Sequence, residues 1–233
     1  MARLPRLAVA GQPHLVVQRS PPGHPAFACD ADRADYLEAL REVARDPGIA
    51  LHAYVLLEHQ ARLLLTPTDA PALGRFMQRV NRRYVPAFHR RHGGAGAVWA
   101  GRFQAAVVDP EHYLLPATLW IEQAPVRAGL VAHATEWAWS SAAHHAGRSA
   151  LPWLTAQACH WRMGNTPFER EARHENELQR LLPEARVAEL EAAVRGGWVL
   201  GAAAFVAALD GPVGRPSQPR PRGRPRQRAP ARG

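Results

Sequence analysis

The sequence predicts an α+β protein with an antiparallel sheet, followed by a helical appendage and a basic tail. Three observations carry this. Apolar runs of strand length alternate with segments of helical period. The pattern turns helical in the last third. Residues 212–233 are rich in Pro, Arg and Gly.

The elements follow in order. "HLVVQR" (His14–Arg19) reads as a strand, and "SPPGHP" (Ser20–Pro25) as a loop. "DADRADYLEALREVARDPG" reads as a helix capped by Asp30 or Asp32. Tyr36, Leu37, Leu40 and Val43 recur at helical spacing, and Pro47-Gly48 ends it. "IALHAYVLL" and "RLLLTP" are strands. "TDAPALGRFMQRVNRRYVPAFHRRHGG" is a long helix capped by Thr68 or Asp69, which Pro86 should kink or stop early. "RFQAAVV" is a strand, and "DPEHYLLPATLWIEQAPVRAG" a helix interrupted at Pro116 and ended by Pro125. Strand, helix, strand, strand, helix, strand, helix is the order of a ferredoxin-like sandwich, with an antiparallel sheet and helices on one face. After Trp139 the pattern changes, and residues 167–210 read as helical with a break at "RGGW" (Arg195–Trp198). The expected divisions are 1–147 for the sandwich, 148–211 for the helical appendage and 212–233 for a disordered tail.

Composition narrows the class. The chain has 233 residues, 47% of them hydrophobic and 21% charged, as in soluble globular proteins. Net charge is +9, which suits a polyanionic partner. Every basic side chain other than histidine is arginine. Seven of these (Arg215, Arg220, Arg222, Arg224, Arg226, Arg228 and Arg232) follow Pro212, where there is no acid; subtracting them leaves the body at +2. Cys29 and Cys159 are too few for a disulfide framework. The opening "MARLPRLAVAG" is too short for a signal-peptide core, and no apolar stretch approaches a membrane span. A cytoplasmic, nucleoid-associated protein is expected, as monomer or homodimer.

One stretch resists this account. "YVLLEHQARLLLTP" (Tyr54–Pro67) is strongly apolar, yet Glu58, His59, Gln60 and Arg62 interrupt it. On an unbroken strand Glu58, Gln60 and Arg62 would share one face, with His59 opposite. Alternatively, "EHQA" is a hairpin turn whose polar residues face water.

The chain resembles the REP-associated tyrosine transposases, a branch of the single-tyrosine HUH transposases of bacterial insertion elements. The matching pieces are "LPRLAVAGQPHLVVQR", "YVLLEHQARLLLTP", "RRYVPAFHRRHGGAGAVWAGRFQAAVVD", "YLLPATLWIEQAPVRAGLV" and "WAWSS", together spanning roughly residues 3–145. The resemblance implies a metal-dependent DNA transposase using Mg²⁺ or Mn²⁺. Two histidines on a strand hold the metal against a phosphate of single-stranded or hairpin DNA, and a tyrosine attacks the phosphorus. A polar residue one turn after the tyrosine completes the metal shell. Aligned on these motifs, the histidines fall on Gln60 and Arg62, the tyrosine on Trp120 and the polar residue on Ala124.

All four positions have departed from the pattern. Gln60 is a poor ligand, Arg62 repels a cation, Trp120 has no hydroxyl and Ala124 has nothing to donate. No intact catalytic residue and no cofactor are therefore expected. Tyr113 is no substitute: it lies seven residues before Trp120, about 10 Å along a helix. His89 and His92, or His144 and His145, lack a partner pair at zinc-like spacing and are expected on the solvated surface.

Binding is what the residues leave. Arg62 would contact phosphate in the metal's place, or is a plain surface arginine. Arg19, and Arg75, Arg79, Arg82 and Arg83 on the long helix, either face DNA beside the sheet or form a solvated face. Trp99, Arg102 and Phe103 keep a family pattern that holds the strand in place. Arg222-Gly223-Arg224-Pro225 is either an AT-hook core for duplex DNA or part of a nonspecific basic tail. "RVAELEAAVRGGWVLGAAAFVAAL" is either a helix-turn-helix or a helical hairpin packed on the body. The expected activity is DNA binding without strand cleavage. The rivals are a working Mg²⁺-dependent strand transferase and a transposase remnant with no role.

Overall fold

The computed structural model describes residues 7–210 and Ser217. Among these, five strands form one sheet: β1 (His14–Arg19), β2 (Ile49–Leu57), β3 (Gln60–Pro67), β4 (Gln104–Val108) and the short β5 (Val199–Leu200). The order is β2-β3-β1-β4-β5. Every pairing is antiparallel except β4 with β5. β1 sits at the centre because the two halves of the fold each send a strand to one of its edges, as the ferredoxin-like order requires.

β2 and β3 join through a two-residue turn, Glu58-His59, and Leu57 pairs with Gln60. This resolves the interrupted apolar stretch. Glu58 and His59 are turn residues in water, so Glu58 does not share a strand face with Gln60 and Arg62. The carbonyl of Glu58 accepts from the amides of Ala26 and Phe27, and that of His59 from Ser20, which fixes the loop after β1 to the turn.

Alternation along β3 divides two cores. Ala61, Leu63 and Leu65 point toward α1 (Asp30–Val43) and α2 (Ala70–His92). Phe27, Tyr36, Tyr84 and Trp99 pack there with ring centroids 5.1–6.0 Å apart. The buried Trp99 and Phe103 belong to this core, which ties the segment before β4 to the helices, while Arg102 is exposed. α2 begins at Asp69, whose side chain accepts from the Ala72 amide at 2.8 Å. It continues through Pro86 to His92 rather than stopping early, because Tyr84, Val85 and Phe88 keep the flanking turns packed on the core.

The second sheet face is also covered, contrary to the one-sided arrangement expected. Leu15, Val17, Val55, Leu64 and Ala106 meet α3 (Leu114–Glu122) and α8 (Glu184–Gly196). α3 reads "LLPATLWIE", apolar on every side, and such a helix is stable only when enclosed. Pro116 lies in its first turn, where its missing N–H costs nothing. The short helix α4 (Ala124–Arg127) follows it directly.

The free edge of β2 is capped by chain after α4. Leu56 N–H donates to the Trp139 carbonyl, Ser141 N–H to that of Tyr54, and Thr155 N–H to that of Leu51. The short helices α5 (Ala142–His145) and α6 (Ala158–Trp161) lead to α7 (Pro167–Gln179). α8 ends on Gly197 at φ +66°, a left-handed conformation suited to glycine. β5 then intervenes before α9 (Ala203–Asp210). The "RGGW" region is therefore helix–strand–helix, neither a helix-turn-helix nor a plain helical hairpin: the open edge of β4 offers Val199 and Leu200 backbone partners that a turn would not. Both cysteines are free thiols. The tail with Arg222 and Arg224 lies outside the described residues.

The start of α1 rests on one buried carboxylate. The cap position is Cys29 rather than Asp30 or Asp32, and Asp32 reaches back to accept from the amides of Ala28 (2.9 Å) and Cys29 (3.1 Å). Arg91 at 2.5 Å and His92 at 3.0 Å bind it from α2. Burial raises its carboxyl, but hydrogen bonds from His92, Arg91 and Cys29 outweigh this and hold it below its ordinary value. A depressed carboxyl stabilises the fold above its unfolded pKa and loses that contribution as pH falls through the folded one. Asp32→Asn should therefore cost about 1.5–3 kcal/mol at neutral pH. The deficit should shrink below about pH 4. Urea titrations at neutral and acid pH check this; a deficit that stays constant with pH would rule it out.

Candidate nucleic-acid interface

Because Ala61 and Leu63 point toward α1 and α2, Gln60 and Arg62 point to the other face, toward α3. The Arg62 guanidinium carbon lies 3.8 Å from the centroid of the Trp120 ring. Arg62 Nη1 donates to the Trp120 carbonyl at 3.3 Å, and Nε donates to Gln60 Oε1 at 3.4 Å. Gln60 and Trp120 thus meet through Arg62 on one face, as the motif alignment requires. Ala124 lies in the same apolar cluster as Trp120. Gln60 and Arg62 of β3 thus meet Trp120 of α3, and neither these three nor Ala124 offers a carboxylate or an imidazole. This donor set does not fit a divalent metal: the centre of the group is a guanidinium.

Charge around the stack is mixed. Burial pushes the Arg62 guanidinium down to about 10, against the pull of Glu191 and with the push of Arg19 and Arg127, so it remains a cation at neutral pH. Arg19, at the exposed end of β1, donates to Gln104 Oε1 on β4 at 2.6 Å. Burial lowers Arg19 as well, with Glu191 opposing and Arg195 adding to the shift. Glu191 and Arg195 both lie on α8 and bring the appendage's charges to the site. The buried indole N–H of Trp120 has no hydrogen-bond partner among the described residues.

The arginines of α2 lie on the other side of the sheet. Arg75 pairs with Asp69 at 2.9 Å, Arg79 with Asp46 and Arg83 with Glu42, while Arg82 is exposed. The structure brings Arg19 and Arg62 together and leaves these four apart from them. Tyr113 points away to α8, where its hydroxyl lies 3.4 Å from Glu189 and Arg186 stacks on its ring.

One cluster escaped the sequence reading. Glu122 is wholly buried, and its carboxylate meets His145 Nδ1 at 2.6 Å, His174 Nε2 at 2.7 Å and the Ser141 hydroxyl at 2.5 Å. His145 is therefore not a surface residue, because α7 closes over α5. His92, bound to Asp32, is also engaged, and His89 sits 3.0 Å from the Gly96 carbonyl. Burial would raise the Glu122 carboxyl, but His145 and His174 outweigh it and hold it far below the usual carboxylate range. The signal available in the sequence was a lone acid in the apolar helix "LLPATLWIE"; nothing marked His174 as its partner.

The Arg62–Trp120 stack is testable by a double-mutant cycle. Arg62→Met and Trp120→Phe should show a coupling of about 1–2 kcal/mol in unfolding free energy, the scale of a desolvated cation–π contact. Additive effects would mean the stack contributes no stability.

No family model and no curated protein matches the sequence. Solved structures do. One is a REP-associated tyrosine transposase bound to a REP hairpin, similar at TM-score 0.55 and 17% identity over 67% of this chain and 92% of that chain. Another is a transposase candidate from Deinococcus radiodurans R1, at TM-score 0.32 and 22% identity over 52% of this chain and 96% of that chain. At the first structure's TM-score over 92% of that chain, this chain has the fold of a REP-associated tyrosine transposase.

Proposed function

We propose that this chain belongs to the REP-associated tyrosine transposase family, that it binds hairpin or single-stranded DNA, and that it does not cleave it. The observation that carries the reading is the Arg62–Trp120 stack. Positions that the resemblance assigns to metal and nucleophile meet in space, and they hold a cation and an indole. A guanidinium there offers a phosphate a fixed positive charge, while nothing at the site can form a phosphotyrosine. Arg19 supplies the exposed cation beside it. The hairpin bound by the structural neighbour supports the class of ligand. The basic tail, on this reading, adds duplex affinity through counterion release.

Two assays test it. Labelled hairpin DNA incubated with Mn²⁺ should give no covalent adduct on a denaturing gel; an adduct would establish the strand-transferase alternative. The same DNA should bind in a native assay, and failure to bind would favour a remnant without function. Restoring Gln60→His, Arg62→His, Trp120→Tyr and Ala124→Asn together should recover adduct formation. For the tail, truncation at Gly211 should flatten the slope of log affinity against log salt on duplex DNA by at least about two units, since each neutralised phosphate contributes about 0.9. Hairpin preference should survive the truncation. Equal slopes would show that the tail makes no phosphate contacts.

A further inference from the structure

We infer that Glu122, His145 and His174 form a binding site for a divalent metal ion of the zinc class, which fastens the C-terminal helices to the sheet domain. The three residues come from α3, α5 and α7, and are 0%, 8% and 2% exposed. Their ligand atoms all lie within 4.8 Å of one another. One carboxylate and two imidazoles are a donor set that suits zinc, leaving a fourth position for a water molecule.

The geometry is close to that required. Zinc bonds of about 2.0–2.1 Å in a tetrahedron set donor atoms about 3.3 Å apart. The carboxylate-to-imidazole separations are 2.6 and 2.7 Å. An entering ion would have to open each by roughly 0.6 Å. On binding, each imidazole N–H that faces the carboxylate shifts to the other ring nitrogen or leaves to solvent, and the freed lone pair bonds the metal. The carboxylate has a further support. Ser141 donates to Glu122 Oε1, while its hydroxyl oxygen accepts from the Tyr54 amide of β2 and its own amide donates to the Tyr54 carbonyl. Ligand carboxylates in metal sites are supported in this way.

Charge favours the ion. A carboxylate enclosed on every side needs a compensating positive charge as well as hydrogen bonds, and a divalent cation seated between these donors supplies it. No arginine hydrogen-bonds to Glu122 among the described residues. A second group, Cys29, Asp32 and His92, also clusters, but there the Arg91 guanidinium already holds Asp32 at 2.5 Å.

The experiment uses the full chain, purified without a histidine tag. Metal analysis should find about one zinc per chain, or stoichiometric uptake of added Zn²⁺ after chelation. Co²⁺ in its place should give the visible absorption of a four-coordinate site. Zinc at about a hundredfold excess over its dissociation constant should raise the melting temperature by about 5–10 °C. Glu122→Gln and His174→Ala should abolish the cobalt spectrum, while His24→Ala at an exposed position should not. If wild-type protein takes up no metal, gives no cobalt spectrum and melts at the same temperature with zinc, the cluster is an ion-paired network only. The wild-type measurements decide the matter even if a variant fails to fold, and they do not depend on whether the chain binds DNA.

Discussion

The enclosure of α3 on every side governs the arrangement around it. A nine-residue helix with no polar stripe has to be covered by the sheet on one side and by later chain on the others. That requirement draws α8 across the second sheet face and brings α5 and α7 against the helix. It also sends Trp120 toward β3 and Glu122 toward α5 and α7. Two residues apart in sequence, they serve two different environments. Trp120 offers an apolar surface that a guanidinium can cover. Glu122 places a charge where no water reaches, and the neighbouring chain has to answer it.

The two answers differ in chemistry. Over Trp120 the compensation is planar and delocalised: Arg62 stacks on the ring and spends one N–H on the carbonyl of the same residue. Guanidinium is less strongly hydrated than ammonium, so a half-buried arginine is tolerated where a lysine would be costly. Around Glu122 the compensation is a pair of imidazoles, able to serve as hydrogen-bond donors or as metal ligands. Under the proposed reading, the first arrangement keeps a positive charge at the phosphate site without a metal. On that reading, Arg62 would present a cation to DNA without a metal, and the residues around it would offer no group to activate the phosphorus.

Much of the sheet domain was legible because local rules and burial agree there. β2 ends where the polar turn begins, β3 carries a clean alternation once Glu58 and His59 are given to the turn, and Asp69 marks the start of α2. The pairing of Gln60, Arg62 and Trp120 was legible through motif order rather than through any local pattern. What the sequence concealed is tertiary. The apolar period of α8 does not say that its partner is the second sheet face, and "WVLG" is too short to be read as a strand without knowing that β4 has an open edge. His145 was misassigned for the same reason: it looks solvent-facing until α7 lies over it, and α7 begins more than twenty residues after α5, beyond loops and a short helix.

The placement of the basic residues completes the physical picture. Arg75, Arg79 and Arg83 are spent on acids near α1 and β2, so their charge is largely neutralised at short range and contributes little field at a distance. Across the sheet, Arg19, Arg62 and Arg195 face a single carboxylate, Glu191. The charge of the body is therefore unevenly matched: the arginines of α2 are paired with acids at short range, whereas Glu191 is the one carboxylate that acts on both Arg19 and Arg62. Under the proposed function, net charge would describe the attraction of the whole chain for a polyanion, whereas this asymmetry would set the face on which the polyanion is met: the one that carries the Arg62–Trp120 stack.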